Sequence, residues 1–141
     1  MPWVRALIAI VFVYLALILL LRALQGHLIY FPQRASETAL IHEAKLNGLV
    51  PWRDDQGQLI GWTGDQHTPV AQRMLVFHGN AGLAEDRVYY KHGFESLGPD
   101  AGWQVSLFEY PGYGAREGEP SEQSILAAAR QALDLLTEQE S

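Results

Sequence analysis

Met74-Leu-Val-Phe-His-Gly-Asn-Ala-Gly82 is the stretch around which the chain is organised. Four apolar residues, 74–77, lie between polar Arg73 and His78, a length that suits a buried strand. The run then breaks into His78, Gly79, Asn80, Ala81 and Gly82. Two glycines within four residues let the backbone turn sharply and present its N–H groups. A helix-like stretch follows, over 83–97, with Glu85, Asp86, Arg87 and Lys91 expected on its exposed face. A strand that ends in a Gly-rich turn and opens a helix stabilises anions, because the helix start leaves donors unpaired. The competing reading is a plain strand-to-helix turn without chemistry.

A second stretch has the same form. Residues 105–109 read as a strand, and 111–120 as a rigid Gly/Pro turn. Pro120 then precedes the clearest helix in the chain, with Ser121 as N-cap and Glu122 in the first turn. Ile125, Ala128, Ala129, Ala132, Leu133 and Leu136 recur at helical spacing and predict one buried face. Upstream, Asp55-Gln-Gly57 is a turn signal inside an antiparallel pair expected within 40–65. Pro51 lacks a donor and suits an edge strand. Strand, helix, strand, helix implies parallel strands joined by crossover helices, so the fold class is α/β.

The N-terminus is different in kind. Residues 6–21 carry no charge or strong polar group, and Arg5 and Arg22 bracket them. With snorkelling ends, residues 2–24 come near the roughly 20 needed to span a bilayer. Three readings compete: an uncleaved anchor, a cleaved signal, and a buried core helix. The apolar core is long for a signal, Ala23-Leu-Gln-Gly26 is a poor cleavage site, and no polar face marks a soluble helix. The anchor reading is preferred, with the lipid bilayer as partner through residues 2–24. One arginine at each end leaves the orientation open. The expected division is an anchor over 1–25 and a single domain over 26–141, and a chain of 141 residues with 48% hydrophobic and 18% charged has room for one such domain. Tyr30-Phe-Pro32 follows the anchor, and Pro32 ends any helix there.

Composition removes several functions. With 10 basic against 16 acidic residues the net charge is −6, and no basic cluster exists. That argues against nucleic acid or an anionic membrane surface as partner. The absence of cysteine removes disulfides, thiolate catalysis and thiolate-bound metal. His27, His42, His67 and His92 are scattered without ligand spacing, so no metal is expected, and no cofactor either. Gly112-Tyr-Gly114 lacks the Gly-Lys-Ser/Thr of a phosphate loop.

The pair "VFHGNAG" (76–82) and "LFEYPGYGAREGEPSE" (107–122) resembles the α/β-hydrolase superfamily, closest to its membrane-anchored branch of lysophospholipases, acylglycerol lipases and thioesterases. The resemblance covers residues 28–137, the N-terminal half of such a domain. It implies a partial hydrolase sheet and an acyl ester or thioester substrate. It also implies an oxyanion loop formed by His78, Gly79, Asn80, Ala81 and Gly82, with Asn80 acting through its backbone N–H and Gly79 and Gly82 admitting substrate. His78 would orient the loop by hydrogen bonding. Glu109 would brace its turn, and Tyr110, Gly112, Tyr113, Gly114 and Arg116 would support the floor of the site.

A serine hydrolase also needs a Gly-x-Ser-x-Gly elbow, a base and an orienting acid. None of the serines at 36, 96, 106, 121, 124 and 141 has glycines at both −2 and +2. No catalytic nucleophile is therefore assigned, and the chain reads as a truncated or split product, inactive alone. The alternative is a non-catalytic membrane-tethered α/β module that kept the loop and lost the triad.

Overall fold

A computed structural model describes residues 1–65 and 69–138. Helix α1, Pro2–Ile29, is 28 residues long with proline in its first turn, and none of its residues is buried. At 1.5 Å per residue it is about 42 Å long, more than the roughly 30 Å hydrocarbon core of a bilayer. It is long and apolar enough to cross a membrane. The helix continues through Gly26 and His27, and Tyr30 then turns to an extended conformation (φ −100°, ψ 129°). The chain divides into two compact units, Met1–Phe31 and Pro32–Ser141.

The second unit begins with a helix that the sequence reading missed. Helix α2, Glu37–Leu46, is capped by Ser36, whose hydroxyl accepts from the Ala39 N–H, and it buries Leu40 and Ala44 one turn apart. The antiparallel pair expected over 40–65 is confined to β1, Leu49–Arg53, and β2, Leu59–Gly64. Pro51 lies on β1, which is an edge strand as the missing donor requires. Strand β3, Gln72–Phe77, is followed by a short 3-10 turn at Glu85–Arg87 and helix α3, Val88–Glu95. Strand β4, Trp103–Phe108, and helix α4, Glu122–Glu138, complete the chain. Ser121 caps α4: its hydroxyl accepts from Ser124 N at 3.0 Å, and Ser124 Oγ accepts from Ser121 N at 2.9 Å.

The four strands form one mixed sheet in the order β1-β2-β4-β3. β2 pairs antiparallel with β4, and β3 pairs parallel with β4 from Gln72↔Trp103 to Phe77↔Phe108. Both faces are covered. Leu40 and Ala44 of α2, with Ala84, Val88 and Phe94, pack on Leu49, Trp62, Val76, Val105 and Leu107. On the other face Ala128, Ala132 and Leu136 of α4 pack on Trp52, Ile60 and Phe108.

Three side chains depart from the amphipathic pattern. Leu133, expected in the core, is 49% exposed, and Leu135 packs in its stead. Glu85 and Lys91, expected on an exposed face, are buried. Glu85 falls in the 3-10 turn ahead of α3 rather than on a regular helix face. Lys91 lays its methylenes over Gly64 and reaches Glu95 with Nζ at 2.6 Å.

Candidate functional site

The loop 78–84 and the turn 109–121 leave the C-terminal ends of the parallel pair β3 and β4, where open α/β sheets form their binding crevices. The two segments are tied together at several points. His78 and Glu109 are both buried, and His78 Nε2 stands 2.8 Å from Glu109 Oε1. The contact is close without the alignment of a good hydrogen bond, and neither atom has another polar partner. On the far side of the ring, Nδ1 is 2.7 Å from the Gly79 carbonyl, which fixes Nδ1 as the donor.

Glu109 Oε2 accepts from the Ala84 N–H at 3.1 Å. One carboxylate therefore holds both ends of the loop. Gly114 passes close against it: at φ +54°, a Cβ there would fall 2.5 Å from Oε2. Only glycine fits a left-handed position with a carboxylate at that distance. Gly112 is held likewise, at φ +85° and with a would-be Cβ 2.6 Å from Pro120 Cδ.

The tyrosines complete the frame. Tyr110 donates its hydroxyl to the His78 carbonyl at 2.8 Å, and its ring lies 4.2 Å from the imidazole. Burial, then Tyr113 and Glu109, push its phenol up from the ordinary value. Tyr113, 1% exposed, donates to Asn80 Oδ1 at 2.7 Å. Asn80 Oδ1 also accepts from the Ala81 N–H at 3.0 Å. The Asn80 side chain is thus the anchor of the turn, a role the sequence reading did not assign to it. Gly79, Asn80 and Ala81 are exposed, and Gly82 is buried.

The sharp bend expected of the glycines is made elsewhere. Ala81 is the left-handed residue, at φ 59°. That conformation costs a non-glycine residue on the order of 1–2 kcal/mol, offset here by the Asn80 and Tyr113 bonds. Gly79 has open space around a would-be Cβ, and at Gly82 that atom would come 2.9 Å from Arg87 Nη2. The loop runs into the 3-10 turn Glu85–Arg87, which continues as α3 from Val88. The N–H groups of Leu83 and Ala84 at that start are taken by Asp86 Oδ2 and Glu109 Oε2, at 3.0 and 3.1 Å, and the exposed part of the loop is Gly79, Asn80 and Ala81.

Behind the turn, Arg116 donates from Nη1 to the Glu109 carbonyl at 2.6 Å and stacks over Phe108 at 4.9 Å. Burial lowers its guanidinium to about 10, against the pull of Asp54 and Glu109. Residues 33–35 stitch to the same turn: Gly114 N donates to the Gln33 carbonyl at 2.7 Å, and Arg34 donates to the carbonyls of Arg116 and Gly118 at 3.3 and 3.0 Å. Beside the loop, Glu85 is pushed up to about 7 by burial first, then by Glu43, Asp86 and Glu109. Sequence reasoning missed it, since a carboxylate in a run of charges carries no signal of burial.

The serines lie away from the loop. Ser106 is buried in β4 with its hydroxyl 3.3 Å from that of Thr63. Ser36 caps α2, Ser121 and Ser124 cap α4, Ser96 donates to the Gly93 carbonyl, and Ser141 lies outside the described residues. His67 also lies outside them, while His27 and His42 stand on α1 and α2. His92 faces Glu95 at 3.5 Å. No His/Asp/Glu group suited to a metal occurs among the described residues. A groove of about 450 Å³ between α4 and the hairpin turn, lined by Asp55, Arg130, Gln131 and Asp134, shares no residue with the loop.

No family model matches the chain. Over 117 residues, 82% of the chain, it is 32% identical to the uncharacterized protein Rv2307c of Mycobacterium tuberculosis strain H37Rv. It is equally similar to the uncharacterized protein MT2364 of strain CDC 1551. The chain spans about 40% of the length of these curated relatives.

Proposed function

We propose that this chain is the N-terminal part of a membrane-anchored α/β-hydrolase acting on ester or thioester bonds, and that it contributes the oxyanion loop. The observation that carries this reading is the exposed Gly79-Asn80-Ala81 turn at the end of β3, held from behind by Tyr113 and Glu109. Developing oxyanion charge needs donors fixed before the reaction begins, and a bend braced through buried side chains meets that need. A plain connecting turn has no use for a buried His–Glu contact and a tyrosine bond beneath it. The apolar α1 is consistent with a membrane tether and with a substrate carrying an acyl chain.

The chemistry proceeds only with a nucleophile, a base and an acid that this chain does not assign. The loop residues position and stabilise; none of them attacks. The second reading, a tethered module without catalysis, draws on one observation: no serine among the described residues stands at the loop. The polypeptide encoded by the complete gene decides between them when assayed with p-nitrophenyl butyrate. Asn80→Pro, which removes the backbone donor, should lower kcat by roughly 10²–10³-fold. Asn80→Gly, which keeps that donor and loses only the side-chain anchor to Tyr113, should lower it less than the proline variant does. Equal losses in both variants would remove the backbone role.

A further inference from the structure

Glu85 stands where the loop ends. It is the first residue of the 3-10 turn Glu85–Arg87, directly after Ala84. Ala84 is 1% exposed and packs with Leu40, Ala44 and Trp62, and its N–H is the group that Glu109 Oε2 holds at 3.1 Å. The Ala84 carbonyl accepts from Arg87 N at 3.0 Å, and Asp86 Oδ2 accepts from Leu83 N at 3.0 Å. A displacement of Glu85 is thus carried by the turn straight to the rear anchor of the loop.

The carboxyl group itself has no place for a charge. Glu85 is 8% exposed, and its Oε2 is enclosed without a hydrogen-bond partner. Three groups face it, and all are acidic: Glu43 from α2, Asp86 from its own turn and Glu109 from the turn after β4. The cations of the neighbouring elements are directed elsewhere. Lys91 of α3 reaches Glu95 at 2.6 Å, Arg87 lies over Gly82, and His78 meets Glu109 at 2.8 Å. A buried carboxyl group beside like charges and without a partner is stable there only as the neutral acid. The ionised form is stable only in water.

We infer that Glu85 is a positioning residue that latches the loop 78–84 in a pH-sensitive manner. Neutral, its carboxyl group stays enclosed and Ala84 stays on Glu109. Ionised, it turns out to water, draws the 3-10 turn with it and takes the Ala84 N–H off Glu109, while the sheet stays folded. The backbone donors of Gly79, Asn80 and Ala81 are then fixed on the acid side and loosened at neutral pH. Burial, then Glu43, Asp86 and Glu109, push the enclosed carboxyl up to about 7, and in water it returns toward 4.5. Release is therefore suppressed below about pH 4.5, grows as pH rises to about 7, and levels off above. The latch acts on the mobility of the loop and stands whether or not the loop serves ester hydrolysis.

Amide hydrogen exchange of the full chain in detergent micelles tests the latch, with each rate taken relative to that of an unstructured chain at the same pH. Protection at Ala84 should fall roughly 10–100-fold between about pH 4.5 and 7 and change little above. Low urea should speed exchange in β4 but not at Ala84, because the latch opens without unfolding the sheet. Glu85→Gln keeps the shape without the charge and should hold Ala84 protection at its acid level throughout. Glu43→Gln, at an exposed position of α2, removes one repelling charge and should make the fall smaller. Ala84 protection that is flat with pH in the unaltered chain, or an undiminished fall in either variant, would overturn the inference. Ala84 exchange as sensitive to urea as that of β4 would place the pH effect in global unfolding and overturn it equally.

Discussion

Glu109 grips the loop at two points: Oε1 lies 2.8 Å from His78 Nε2, and Oε2 accepts from the Ala84 N–H at 3.1 Å. Both ring and carboxylate are enclosed. Removing one partner of such a contact strands the other without solvent, which costs about 3–5 kcal/mol. Glu109→Ala is therefore expected to raise hydrogen exchange at Ala84 and through 78–82 by roughly 10²-fold or more. Glu109→Gln keeps an acceptor oxygen and should cost much less. Equal exchange in the two variants would show that the carboxylate does not hold the loop.

Glu85 predicts a pH dependence with a definite sign. Its carboxyl is pushed up to about 7 from 4.5, so the folded state holds a proton that the unfolded state has released between those values. Stability should be full below about pH 4.5, fall as pH rises to about 7, and level off above. Glu43 on α2, Asp86 beside it and Glu109 on the turn all face this group and repel its charge. Glu85→Gln should stabilise the protein above pH 7 by roughly 2 kcal/mol and flatten the profile. The thermal midpoint of both proteins across pH 4.5–8 measures it; parallel profiles would exclude Glu85 as the cause.

The helix α1 predicts integral membrane behaviour. After carbonate washing of membranes from expressing cells, the chain should remain in the pellet, because its 28 residues offer no polar face to water. Release into the supernatant would exclude a spanning helix.

The open β3 edge predicts self-association of the second unit. Residues 32–141 without a partner strand should elute as mixed oligomers and unfold over a broad temperature range, since an apolar edge is a pairing site. A domain holds only about 5–15 kcal/mol in reserve, and a half-covered strand draws on that. A monodisperse monomer with a sharp transition would mean that the unit is self-sufficient.

Local signals in the sequence carried the regular elements. Asp55-Gln-Gly57 marked the hairpin, Pro120-Ser121-Glu122 marked the start of α4, and uninterrupted apolar residues marked α1. α2 escaped because its ten residues bury only Leu40 and Ala44, too few for a clear period, although Ser36 was a readable cap. Leu133 was misplaced because helical period assigns a stripe without saying how far the sheet beneath it extends. The His78–Glu109 contact was beyond reach of local reading, since it joins the ends of two parallel strands that only the crossover brings together. Motif likeness placed both residues at one site; the register of β3 on β4 explains why they meet.

Fluorophosphonate labelling of the gene's entire product tests the proposed activity most directly. The account predicts one labelled serine, lying beyond Ser141 in a Gly-x-Ser-x-Gly turn that follows a strand seated on β3. The 141-residue chain alone should remain unlabelled and should not turn over p-nitrophenyl esters. A labelled serine among Ser36, Ser96, Ser106, Ser121 and Ser124, or no labelled serine in the complete product, would contradict it.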